Sequence, residues 1–170
     1  MTTQIKGNDT STFGGEIKTN NDSIISNRPI VSAKMSANQT INDVTDTKIA
    51  FDTATIDTDS AFDTSTYRFT VPSGKAGKYH INACVKLDDG GTNVFYTVLY
   101  LYKNGTSIRR NYSNFAANPI TGFPTCIDAI LDLSVGDYLE IYAKINTVDN
   151  TTGTAVGNTD AWFEIHKLIG

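Results

Sequence analysis

The sequence predicts an all-β protein, a two-sheet sandwich preceded by an extended N-terminal arm, and three observations carry that prediction. Apolar residues recur with a period of two: Tyr79, Ile81, Ala83, Val85 and Leu87 alternate with His80, Asn82, Cys84 and Lys86. Leu139, Ile141, Ala143 and Ile145 repeat the pattern, which is that of a strand with one buried face. No helical period survives across a dozen residues. Thr, Asn, Ser, Asp and Gly dominate the composition, which favours strands and turns. A chain of 170 residues is expected to form one domain and to bury roughly 70% of its unfolded surface.

Residues 1–28 form the arm. Their few apolar positions, Ile5, Phe13, Ile17, Ile24 and Ile25, are scattered among Thr, Asn, Asp and Gly, and Gly14-Gly15 interrupts any regular element. Such a segment cannot bury enough surface to order itself, so it is either flexible or ordered by a partner. The five apolar residues are the expected anchors for docking on a particle.

Residues 29–170 form the domain. An opening strand runs over 29–34, followed by short strands around Ile41 and over 48–51. The run 67–71 alternates and stops at Pro72, and Gly77 restarts the chain into the strand ending at Leu87. Strands 94–103 and 107–112 flank Asn104-Gly105-Thr106, and Asn-Gly between apolar runs is the strongest short hairpin signal. Strand 126–133 turns through Ser134-Val135-Gly136-Asp137 into strand 138–145, and strand 161–169 closes the domain with Trp162, Phe163 and Ile165. About ten strands without a helix make a two-sheet sandwich the natural architecture.

An aromatic framework sits inside this pattern. Phe51, Asp57, Phe62, Phe69, Pro72, Gly77 and Tyr79 occur in order, and large rings each carry roughly 150–250 Å² of buried area. Phe51, Phe62, Phe69 and Tyr79 are therefore the expected core. The spacing resembles the signature of the C1q/tumour-necrosis-factor-like jelly roll: Phe, five residues, Asn or Asp, four residues, an aromatic, six residues, Phe. The link from Phe69 to Gly77 is two residues longer than in that signature, and Ile81 stands where an aromatic is usual. The resemblance covers residues 29–170. It implies a two-sheet jelly-roll sandwich that assembles as a tight three-fold trimer, of the kind also found in bacteriophage virion proteins.

Strand 94–102 is apolar on both faces, whereas a monomeric sandwich presents one face of each strand to water. A second subunit is the expected cover, with Tyr96, Tyr100, Trp162 and His166 as trimer-interface candidates. The net charge of −4, with no Lys or Arg run, argues against nucleic acid. No apolar run approaches 18 residues, so no membrane insertion is expected. The first residues lack the apolar stretch of a secretory leader.

Catalytic and metal patterns are weak. No Gly-x-Ser-x-Gly elbow and no Cys/His zinc spacing occur, and His80 and His166 read as surface or interface histidines. Asp57, Asp59 and Asp63 supply hard oxygens suited to calcium, but their alternation with Thr and Ser fits a solvated loop, and no cofactor is expected. Cys84 and Cys126 can pair only if the fold brings their Cα atoms within about 7 Å, and the expectation is two reduced cysteines acting as small hydrophobes.

These readings converge on a non-enzymatic virion protein, a capsid decoration or surface knob docked through its arm to other virion proteins. Loops 87–93 and 114–124 would then meet a host-surface glycan or protein. A tail-fibre or receptor-binding head and an extracellular C1q-like recognition module of a cell are the alternatives. An extended arm of 28 residues reaches at most about 95 Å, enough to thread into a shell but short for a fibre shaft.

Overall fold

The computed structural model describes residues 18–19, 22–23, 28–91 and 93–169. The short strands β1 (Lys18–Thr19) and β2 (Asp22–Ser23) pair antiparallel as a small ribbon. There follow β3 (Ile30–Lys34), β4 (Gln39–Ile41), β5 (Thr47–Lys48), β6 (Thr53–Asp57), β7 (Phe62–Asp63) and β8 (Arg68–Thr70). The long strands are β9 (Gly77–Asp88), β10 (Val94–Lys103), β11 (Thr106–Asn114), β12 (Gly122–Leu133), β13 (Tyr138–Thr147) and β14 (Gly153–Ile169). The arm anchors Ile5, Phe13, Ile17, Ile24 and Ile25 lie outside the described residues.

The strands form two antiparallel sheets packed face to face. One runs β11-β10-β13-β8-β7 with β5 also on β13, and the other runs β12-β9-β14-β3-β6 with β4 also on β14. The period of two explains the packing. Tyr79, Ile81, Ala83, Val85 and Leu87 of β9 and Leu139, Ile141, Ala143 and Ile145 of β13 are buried between the sheets. Phe51, Phe62, Phe69 and Tyr79 are buried with them. Phe163 joins this set, with its ring 5.6 Å from Phe51 and 5.9 Å from Phe62, while Phe69 lies 5.6 Å from Tyr79. The Tyr79 hydroxyl donates 2.6 Å to the Lys75 carbonyl, and burial, with Asp59 nearby, pushes its pKa up to about 12. One polar contact crosses the core: Thr97 and Thr125, both fully buried, share a hydrogen bond of 2.7 Å.

The Asn104-Gly105 turn has positive φ at both residues, 52° and 78°, as a two-residue hairpin between right-twisted strands requires. The strand expected over 48–51 is shorter in the structure. β5 ends at Lys48, and the Gln39 side chain takes over by donating to the Lys48 carbonyl and accepting from the Ala50 amide. Side chains of β11 occupy part of the outer edge of β12: Arg109 donates to the Asp128 carbonyl, and Asn111 donates 2.8 Å to the Cys126 carbonyl. Occupied edge carbonyls are withdrawn from pairing with a foreign strand.

The expectation of two reduced cysteines is overturned. Cys84 of β9 and Cys126 of β12 stand directly opposite each other in the ladder, with Cα atoms 4.0 Å apart, and form a disulfide. The strand neighbourhood that brings them together links residues 42 apart.

Register also fixes the molecule's two ends. Ile30 at the start of β3 pairs with His166 near the end of β14, and Ile169 pairs with Lys78 at the start of β9. Residue 28 and the C-terminal strand end therefore share one pole. At the other pole Asp88 pairs with Gly122 and Thr154, so the turns after β9, β11 and β13 cluster there. β9, with 12 residues, spans about 40 Å between the poles.

Candidate functional site

The two outward faces of the sandwich carry different chemistry. On β10, Thr97, Leu99 and Leu101 point into the core, so Tyr96, Val98, Tyr100 and Tyr102 point out. Their neighbours in register are Tyr112 of β11 and Tyr142 and Lys144 of β13. The rings pair as Tyr96 with Tyr112 at 5.3 Å and Tyr102 with Tyr142 at 4.3 Å, and Arg68 lies 3.9 Å over Tyr138. Desolvation raises the pKa values of Tyr96, Tyr102 and Tyr142. The second apolar side of strand 94–102 is thus a half-buried tyrosine face, partly covered by rings of its own chain.

The opposite face, on the β12-β9-β14-β3 sheet, reads in rows across the strands. Lys34, Trp162, Cys84 and Cys126 form one row, and Ser32, Glu164, Asn82 and Asp128 the next. Ile30, His166, His80 and Ile130 form the third. Trp162 Nε1 donates 2.7 Å to Asn82 Oδ1, and the residue remains 36% exposed; Ile130 is 60% exposed. His80 Nε2 lies 2.7 Å from Asp128 Oδ2, and the two imidazole rings are 4.9 Å apart.

The four interface candidates therefore fall into two pairs. Tyr96 and Tyr100 occupy one outer face, and Trp162 and His166 the other. Alternation placed each side chain outward, but sequence reasoning could not see that β10 and β14 belong to different sheets.

The loops singled out in the sequence meet at the pole away from residue 28. The Asp89 amide donates to the Thr121 carbonyl at 3.2 Å, and Val94 and Ile120 bridge. Gly90, at φ 74°, follows a turn in which the Asp88 carboxylate accepts from its amide. The Asp57, Asp59 and Asp63 carboxylates are engaged by donors of this chain. Asp57 accepts from the Ala61 and Phe62 amides, and Asp59 accepts from the Thr58 hydroxyl with Lys75 at 3.6 Å. Asp63 accepts from the hydroxyls and amides of Ser65 and Thr66, which hold its pKa well below the usual range.

Two other acidic groups are tied more deeply into the fold. Lys103, Asn104 and the Ser134 amide hold Asp137 at a pKa of about 2. Burial pushes Glu140 up, but its bonds to Lys48 and Arg68 outweigh that, and its pKa is lowered. A carboxylate whose folded pKa is depressed adds stability above its unfolded pKa, and that stability is lost as pH falls through the folded value. The melting temperature is therefore expected to hold down to about pH 4–5 and to fall steadily towards pH 2. Asp137→Asn should flatten that slope, as differential scanning fluorimetry across the range would read.

No family model and no curated protein matches the chain. Solved structures do. The globular domain of zebrafish complement 1qA protein superposes with a TM-score of 0.59 at 14% identity, over 83% of this chain and 98% of that one. Eiger TNF from S. frugiperda gives 0.57 at 13% identity, over 84% and 92%. Murine APRIL gives 0.57 at 11% identity, over 83% and 99%. At these identities the likeness concerns the fold, and with two antiparallel sheets in this order the fold of this chain is the C1q/TNF-like jelly-roll sandwich.

Proposed function

We propose that this chain is a non-enzymatic, homotrimeric virion surface protein, a capsid decoration or surface knob. Residues 1–28 dock it on its particle, and the loop pole turns outward to a host-surface glycan or protein. The observation that carries this reading is the polarity of the sandwich: residue 28 leaves from one pole, and the loops around Asp89 and Thr121 gather at the other. A protein anchored at one end and recognising at the other needs that separation. Three-fold assembly is supported by the half-buried tyrosine face of β10, β11 and β13, an apolar surface that a second subunit can cover. It is what the resemblance to C1q-like domains implies.

The Cys84–Cys126 disulfide favours a second reading, an extracellular recognition module of a cell, because disulfides persist outside the reducing cytosol. Native mass spectrometry and a truncation separate the two. The full chain at micromolar concentration should run as three 18.5 kDa chains, and a chain lacking residues 1–28 should remain trimeric but fail to join particles. A monomer would end the trimer reading. Normal incorporation of the truncated chain would end the docking role and leave the recognition module.

A further inference from the structure

We propose that His80 and His166 form a chelating site for a borderline divalent transition-metal ion such as zinc, with Asp128 as the carboxylate that orients the His80 ring. The two histidines stand directly opposite each other on the adjacent antiparallel strands β9 and β14, with both side chains on the same outer face. Their ring centroids are 4.9 Å apart and the rings are tilted by 58°. Two imidazoles bound to one tetrahedral ion, each nitrogen about 2.0–2.1 Å from the metal, have centroids roughly 5 Å apart. The centroid spacing of the pair matches that of a two-imidazole chelate.

Asp128 is an independent second observation. A ligating histidine commonly has its other ring nitrogen held by a carboxylate, which fixes the tautomer and raises the basicity of the ligating nitrogen. Asp128 Oδ2 lies 2.7 Å from His80 Nε2, which leaves Nδ1 as the ligating atom of that ring. The flanking charges are mixed: Glu164 sits two positions before His166 on the same face, Lys78, two before His80, is paired with Asp132 at 2.9 Å, and the Arg109 guanidinium is held on the Asp128 carbonyl. Ile30 and Ile130 wall the histidine row on either side. His80 is 29% exposed and His166 is exposed, so an ion and its water can enter. Among the described residues no set of three or more His, Cys, Asp or Glu is arranged to hold a metal. The protein therefore supplies two nitrogens, and water fills the remaining positions. Nitrogen donors select zinc, copper and nickel over calcium or magnesium.

The test is calorimetric titration of the tag-free full-length protein with zinc chloride near neutral pH. Saturable binding of one zinc per chain is expected. His80→Ala and His166→Ala should each weaken it at least tenfold, and Asp128→Asn by about 10–100-fold. All three positions lie on the surface; should an alanine lower the melting temperature, His80→Gln and His166→Gln keep size and polarity and carry the same expectation. Three results would overturn the site: no saturable binding up to millimolar zinc, binding unchanged by the histidine substitutions, or one zinc per three chains, which would move the ion to a place shared between subunits.

Discussion

Phe69→Ala is expected to cost roughly 3–5 kcal/mol of folding stability. Phe69 is fully buried, faces Phe62 across the β7–β8 pair and packs 5.6 Å from Tyr79. β8 is only three residues long; Arg68 ties it to Glu140 and Tyr138 of β13, and Phe69, which pairs with Leu139, supplies its buried ring. Truncation removes the ring's burial and leaves a cavity that rigid strands on both sides cannot close. Against a total stability of roughly 5–15 kcal/mol, a loss of that size is a large share of the whole. The melting temperature should fall by about 6–20 °C. Ile130→Ala, at a residue 60% exposed, serves as the control and should change stability by less than about 0.5 kcal/mol. Equal melting temperatures for Phe69→Ala and its parent would remove the ring from the core.

The second large effect is loss of the Cys84–Cys126 bond. The bond closes a loop of 42 residues, and the chain-entropy account assigns such a loop roughly 4 kcal/mol, gained chiefly by restricting the unfolded chain. The Cys84→Ala/Cys126→Ala double variant should therefore melt well below the parent in non-reducing buffer. Reductant should lower the parent to the level of the variant and leave the variant unmoved. A parent shown by mass to be oxidised, yet indifferent to its reduction, would mean the bond contributes nothing.

The elements that could be read from the sequence share one property: their signal is local. β9 and β13 alternate strictly, Asn104-Gly105 demands positive φ at both residues, and each predicts its strand or turn without knowledge of a neighbour. Aromatic spacing went further, because Phe51, Asp57, Phe62 and Phe69 recur at intervals shared with a known jelly roll. What the sequence hid is long-range. Cys84 meets Cys126 only because β9 and β12 are neighbours, although β10 and β11 lie between them in the chain. Tyr100 and Trp162 read alike as outward aromatic residues, and only strand order assigns them to opposite faces. The His80–His166–Asp128 group escaped for the same reason, since its members come from three strands and no spacing along the chain announces them. The Gln39 side chain that replaces part of β5 leaves no periodic trace, because one amide does the work of a backbone pair.

The polar arrangement of the sandwich bears on mechanics. If residue 28 is held by a particle and the loop pole by a ligand, tension runs along the strands rather than across them. Pulling β3 out of the sheet then means sliding it past β14, with all five paired positions from Ile30–His166 to Lys34–Trp162 strained together. Peeling from the side would break the same hydrogen bonds one at a time, at far lower force. A head built this way is stiffest along the axis on which it would be pulled, and the covalent tie between β9 and β12 would keep that load shared between two strands.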